Sequence, residues 1–527
     1  MALRNVFRPS AAVVLFYLLN LGQVSGAPAT PRAHVALSIV TQAGQTSPGS
    51  DLAKQEADLR EAIERSPRNA AYLARLGVVL AMENKLDESV SYFGKALKLN
   101  PGDVETRRSL GTTYWQLGQL ENAEKNLEIV LKARPDDTLA TLFLGMVAED
   151  EGNHQRAAKL LGDVLPLVRQ RPEMIAALVR AYYHLGDVER ARKTLQMFTA
   201  SEGVFQAGRL AAEFKDYETA EKMFLSIQTT YPDPAMVNYN LALAQFSAKR
   251  YEQCEKTLQS SIDYGHGTPE AYALLGWTLD KQDRLPEMMK AFEKAINLEP
   301  ANQAYYIDLG DALAGKKNYG TAIEVAKEAV KRFPSSSRVF SMKGSVELKM
   351  YLLTEALKSY SRAVELDPNN PRAVLGLALT QWNMDRMEDA TKSFEEGARK
   401  FPNDAFFQLK YALFLLNAPG ERDAAQNERI KALLKKSVAL DESSAEAHFQ
   451  LGNLAMKANN YEEALKELQT AAKLDPELSK AHVVLARVYR RAGRPEEAER
   501  ETQLYQKLKA SEDQKADVNA AIGTRHP

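Results

Sequence analysis

Pro269-Glu-Ala-Tyr-Ala-Leu-Leu-Gly-Trp-Thr-Leu-Asp-Lys-Gln-Asp-Arg-Leu-Pro-Glu-Met-Met-Lys-Ala-Phe-Glu-Lys-Ala-Ile-Asn-Leu-Glu-Pro300 decides how this chain folds. Apolar residues recur three and four apart on both sides of a polar break at Gln282, Asp283 and Arg284. That is the pattern of two amphipathic helices joined by a short turn. Pro300 ends the second helix, because proline has no N–H to donate and its ring disfavours helical backbone in the residue before it. Two helices of this length cannot bury their apolar faces alone, whereas stacked copies can.

The copies are visible in the prolines. Pro67, Pro101 and Pro135, and again Pro300, Pro334, Pro368 and Pro402, stand 34 residues apart. A fixed period of this length means one supersecondary unit repeated along the chain. Windows close at Pro101, Pro135, Pro172, Glu202, Pro232, His266, Pro300, Pro334, Pro368, Pro402, Glu442, Pro476 and Ala510, about thirteen helical hairpins in all. The third window is slightly long and the fourth short. The eleventh carries an insertion at Asn417-Ala-Pro-Gly420, expected as a loop where its two helices turn. Leu52 to Arg65 reads as a lone packing helix ahead of the first pair.

The windows resemble the tetratricopeptide repeat. A Leu-Gly pair recurs in the first helix at Leu76-Gly77, Leu110-Gly111, Leu275-Gly276, Leu309-Gly310 and Leu451-Gly452. Alanine recurs in the second helix at Ala123, Ala191, Ala220, Ala322, Ala356, Ala390, Ala464 and Ala498. A bulky residue takes the position four after this site in many copies, as at Phe93, Phe224, Phe292, Tyr360 and Phe394. Small residues let helices approach, and large ones fill the space beside them. The resemblance implies an all-α fold, a right-handed α-solenoid superhelix of stacked helix-turn-helix repeats. First helices would line a concave groove and second helices the outer wall.

Organisation follows from the same register: residues 51–510 as the solenoid and 511–527 as a polar C-terminal tail. Ahead of it, Arg4 and Arg8 precede an apolar run from Ala11 to Leu21, and Val24-Ser-Gly26 supplies small residues before Ala27. This is the layout of a secretory signal peptide, residues 1–26, and the apolar run is too short to span a bilayer. Residues 27–50, rich in Pro, Ser, Thr, Ala and Gln, read as a flexible linker. The chain is therefore expected to be exported, periplasmic or secreted. The absence of any Asn-x-Ser/Thr acceptor favours a bacterial envelope.

With 68 basic and 69 acidic residues the chain has no global attraction to nucleic acid or to an anionic membrane. Cys254 is the only cysteine, so no intramolecular disulfide can form; it sits at the alanine site and reads as a small buried hydrophobe. No phosphate-binding glycine loop and no His-Glu-x-x-His stretch occurs. His448 and His482 are 34 apart and therefore sit at one register position, but no third residue completes a metal site. No catalytic, cofactor or metal site is expected.

What remains is the inner face of the first helices. Residues off the helix–helix seam are expected there: Trp115, Tyr183, Tyr239, Phe246, Trp277, Trp382, Phe406 and Phe449, and in the last copy Arg487, Arg490 and Arg491. All three tryptophans fall on this face. Tryptophan is enriched in binding hot spots, and it also packs well between helices, so both roles are open. The arginines suit a carboxylate or an acidic segment, or form a solvated terminal face. The function expected is a non-catalytic scaffold holding a peptide or partner protein in its groove. The alternatives are a structural subunit of an envelope export or polysaccharide-secretion complex and, more remotely, the regulatory part of an enzyme.

Overall fold

The computed structural model describes residues 50–418 and 423–523. The expected signal peptide, residues 27–49 of the expected linker and Pro419-Gly420 of the insertion lie outside the described residues, and Ser50, placed in the linker, opens a helix. Every regular element among the described residues is a helix. After the lone helix Ser50–Arg65, the helices come in pairs. The described residues up to Ala295 and from Ile296 onward form two compact units, with the division inside the second helix of the seventh pair, Leu285–Leu298.

In the first unit the pairs are Ala70–Met82 with Leu86–Leu99, Val104–Gln116 with Leu120–Ala133, and Thr138–Asp150 with His154–Asp163. Pro172–His184 with Val188–Leu195, Ser201–Glu213 with Tyr217–Ile227, and Pro234–Ser247 with Tyr251–Asp263 follow, then Pro269–Lys281. An extra turn, Leu165–Val168, accounts for the long third window. In the second unit the pairs are Gln303–Gly315 with Tyr319–Arg332, Ser337–Lys349 with Leu353–Leu366, and Pro371–Asn383 with Met387–Lys400. Ala405–Asn417 with Ala424–Leu440, Ala445–Lys457 with Tyr461–Leu474, and Ser479–Arg491 with Pro495–Gly523 complete it. The last helix continues past Ala510, because the sequence beyond it offers neither proline nor glycine before Gly523.

The period fixes both ends of each first helix. Two residues after the recurring proline stands a side-chain cap, as at Asn69, Asp103, Asp137, Asn302, Ser336, Asn370 and Asp404. Each accepts from a backbone N–H of the first turn, a contact worth about 1 kcal/mol. At the other end a left-handed residue recurs in every copy but the eleventh among the described residues, for example Gly118, Lys317, Tyr351 and Asn459, with φ between 59° and 73°. The N–H of the next residue then reaches the carbonyl five positions back, as Lys85 to Leu80 at 2.8 Å and Leu352 to Glu347 at 2.9 Å.

The two helices of a pair lock through a size contrast at a fixed separation of 16 residues. A Cβ added to Gly77 would lie 2.7 Å from the Phe93 ring, at Gly208 2.7 Å from Phe224, at Gly276 2.7 Å from Phe292, and at Gly452 2.5 Å from Leu468. The alanines of the second helices are buried beside these contacts. At two positions where the alanine is replaced, the substitute finds a polar partner: the Ser89 hydroxyl donates to the Gly77 carbonyl at 2.7 Å, and Cys254 Sγ lies 3.2 Å from Thr278 Oγ1 of the next pair. Burial pushes the Cys254 thiol up to about 12, so it stays protonated and unreactive at neutral pH.

Within each unit the first helices of successive pairs touch one another, except those of the eleventh and twelfth pairs, whereas second helices do not come comparably close. The first-helix layer is therefore the tighter one and forms the inner side of the stack.

The size contrast predicts opposite signs for one substitution. Gly276→Ala gains about 1 kcal/mol of helix propensity but forces a methyl into the Phe292 ring, a net loss of about 1–2 kcal/mol. Gly94→Ala, in a helix where an added Cβ meets nothing within 4 Å, gains about 0.5–1 kcal/mol. Urea unfolding of the two variants measures both.

Candidate interaction surface

The expected inner-face residues separate into a buried set and an accessible set. Trp115 is only 2% exposed. Its Nε1 donates to Asp150 Oδ2 at 2.8 Å and its ring packs at 5.6 Å, tilted, on Phe143 of the next first helix. Tyr183 is buried as well; its hydroxyl donates to Asp216 Oδ2 at 3.0 Å and its ring stacks on Phe214 at 4.8 Å. Burial, with the Asp216 carboxylate beside it, raises the Tyr183 phenol well above its ordinary range. Burial pushes the Asp216 carboxyl up, but Arg192, donating from Nε and Nη2 at 2.7 Å each, together with hydrogen bonds from Thr219 and Tyr183, holds it below its ordinary value. Phe449 is also buried, under the Lys480 ammonium 4.7 Å from its ring centroid. These three side chains are corrections to the groove expectation: each is a packing element between neighbouring helices.

The register carries the clue that separates the tryptophans. Trp115 and Trp382 stand four residues after Gly111 and Ala378, on the edge that meets the next pair, whereas Trp277 directly follows Gly276. Trp382 does meet the next first helix, edge-on to Phe414 at 5.5 Å, yet stays half-buried. Trp277 is half-buried, edge-on to Phe292 at 5.6 Å, with the Lys281 ammonium 5.8 Å from its ring. Tyr239 and Phe246 are half-buried in the first unit, Phe246 edge-on to Tyr251 at 5.5 Å. In the second unit Phe406 is exposed, with Lys410 Nζ 4.8 Å above it. Arg487, Arg490 and Arg491 are exposed.

One inner-face feature escaped the sequence. Arg372 Nη2 donates to both carboxylate oxygens of Asp311, at 2.7 and 2.8 Å, across 61 residues. The pair joins the eighth and tenth first helices and skips the ninth, from which Lys349 adds its ammonium; burial lowers the Lys349 pKa and Asp311 opposes this. The two histidines at one register position sit in matching, separate cages. His448 Nδ1 is 2.6 Å from Glu467 Oε2 and its Nε2 3.3 Å from the Glu442 carbonyl. His482 repeats this with Glu501 at 2.6 Å and the Pro476 carbonyl at 3.3 Å.

Models described as tetratricopeptide repeat match residues 56–104, 108–174, 274–337 and 428–512, about half of the chain, and residues 148–204; a TPR repeat model matches residues 353–385. The chain belongs to the tetratricopeptide repeat family. Its described residues form the stacked helix pairs of that family. Among curated relatives, the BBSome complex member BBS4 of Bos taurus is 23% identical over 380 residues, covering 71% of this chain and 61% of that protein. Hsp70-Hsp90 organizing protein 1 of Glycine max is 21% identical over 236 residues, covering 38% of this chain and 41% of that protein. The tetratricopeptide chain thus spans about two-fifths to three-fifths of these relatives. Among solved structures, yeast Tom70 aligns over 87% of this chain and 99% of its own, at 17% identity and a TM-score of 0.41. The APC/C hetero-tetramer Cut9-Hcn1 aligns over 84% and 93%, at 13% identity and a TM-score of 0.38.

The tryptophans should report their sites in fluorescence. A variant keeping Trp115 alone is expected to emit blue-shifted light and resist acrylamide, whereas variants keeping only Trp277 or only Trp382 are quenched several-fold faster. Equal quenching of all three would contradict the burial described.

Proposed function

We propose that this tetratricopeptide repeat chain is an exported interaction scaffold of the cell envelope. It holds a peptide or partner-protein segment against the inner face of its first helices. The observation that carries the reading is that this face keeps large aromatic side chains accessible: Trp277 in the first unit, and Trp382 with Phe406 in the second. A half-buried indole offers a partner much apolar area while losing few torsions, as binding anchors do. Two relatives are, by name, an organizer of Hsp70 and Hsp90 and a member of the BBSome complex; both names denote assembly of proteins. Export rests on the basic and apolar layout from Arg4 to Gly26 and on a composition with one cysteine. No helix among the described residues is long and apolar enough to cross a membrane.

The test is an affinity pull-down with the tagged full chain from soluble and membrane envelope fractions. It is repeated with Trp277→Ala combined with Trp382→Ala. A partner retained by the parent chain is expected to be lost by the variant, a weakening of about 2–4 kcal/mol for two anchors. Retention unchanged by the double substitution, or recovery of the chain in the cytoplasm with Met1 intact, would contradict the proposal.

A further inference from the structure

The inner face of the last two first helices, Ala445–Lys457 and Ser479–Arg491, carries more cations than its acids neutralise. Its acid is Glu446, which is already taken by an ion pair with Lys480 and by Gln450 Nε2 at 2.7 Å. Further along the same face stand Lys457, Arg487 and Arg491, all exposed, and none of them meets a carboxylate among the described residues. Asn453 and Met456 lie half-buried between them, and Arg490 donates to Thr502 Oγ1 at 2.8 Å. Acids are close in sequence. The second helix of the last pair holds Glu496, Glu497, Glu499 and Glu501, yet Glu497 pairs with Arg494 and Glu501 with His482. Glu499 accepts from Gln503 Nε2 at 3.2 Å, so three of these four acids serve other partners, and like charges one turn apart repel.

The spacing describes what would fit. Arg487 and Arg491 are one helical turn apart, about 6 Å along the axis. Lys457 holds the register position of Arg491 on the neighbouring first helix, about 10 Å away. Alternate side chains of an extended strand point the same way about 6.6–6.8 Å apart, so two such carboxylates match the arginine pair. Guanidinium groups bind carboxylates in a two-pronged geometry that ammonium groups cannot.

We propose that this end of the second unit binds an extended segment of a partner protein bearing Asp or Glu at alternate positions. The inference rests on the inner-face reading above and names the chemistry of the segment.

The probe is a fluorescein-labelled twelve-residue peptide alternating Glu with Val, acetylated and amidated at its ends. A matched peptide carries Gln for Glu. Anisotropy titrations use the full chain. The Glu peptide is expected to bind at least tenfold more tightly than the Gln peptide at low ionic strength, with the gap closing as salt screens the charges. Arg487→Gln with Arg491→Gln should erase the gap. Lys435→Gln with Lys436→Gln, equal in charge but on a second helix, should keep it. Circular dichroism melts of both variants should match the parent, since all four side chains are exposed. Equal binding of the two peptides overturns the inference, as does a charge preference that survives the arginine changes or binding that requires a free C-terminus. A chain that retains a partner through Trp277 and Trp382 but ignores peptide charge overturns this inference alone. A chain that retains no partner at all overturns the inner-face reading with it.

Discussion

A large apolar side chain in the second helix, a ring in several pairs, pressed against a small residue in the first is the constraint on which the remainder of this structure depends. The gap between Gly276 and Phe292, like that between Gly77 and Phe93, leaves no room for a single methyl group. That contact sets how closely the two helices of a pair approach, and so how much apolar surface each pair leaves for its neighbours to cover. The eighth pair shows the rule by its exception. Its second helix offers only Ala326 at the ring position, and the space over Gly310 is filled by Met342 of the next first helix, whose Sδ would be 2.7 Å from an added Cβ. The void is closed either way, but in the eighth pair the closing atom ties pair to pair.

Tight first-helix packing has a functional consequence. Side chains on that layer either wedge between neighbouring first helices or stand clear of them, and a shift of a few positions decides which. Trp115 is wedged, and its indole N–H is satisfied by Asp150. Trp277 stands clear enough to meet a partner. The same layer carries charge of two kinds. Asp311 and Arg372 neutralise each other across two pairs, whereas the cations near Arg487 and Arg491 have no such acid. In the second unit, accessible aromatic side chains and unneutralised cations on the first helices are the features on which the proposed binding role rests.

The sequence reveals the elements that depend on neighbours within one period. Proline, cap and left-handed turn residue all lie within a few positions of the helix ends they determine, so helix pairs could be placed from Pro67, Asn69 and Asn84 alone. The glycine-to-ring contact is equally visible because its separation is constant. Burial of Trp115, Tyr183 and Phe449 was not, since it depends on what the next pair presents: Phe143 and Asp150, Phe214 and Asp216, and Lys480. The Asp311–Arg372 pair was hidden for the same reason, one step further removed, because it skips a whole pair. The last helix ran on to Gly523 because periodicity sets where a repeat closes, and local propensity sets where a helix stops.

The central claim is that, in the pairs that carry both, glycine and ring form one coupled site. A double-mutant cycle on Gly208 and Phe224 tests it most directly, with stability read by urea unfolding. A Cβ on Gly208 would lie 2.7 Å from Phe224 Cε1. Gly208→Ala should destabilise the parent chain yet become neutral or stabilising once Phe224→Ala has opened the space, a coupling of about 1–3 kcal/mol. Additivity of the two substitutions to within about 0.5 kcal/mol would contradict the account.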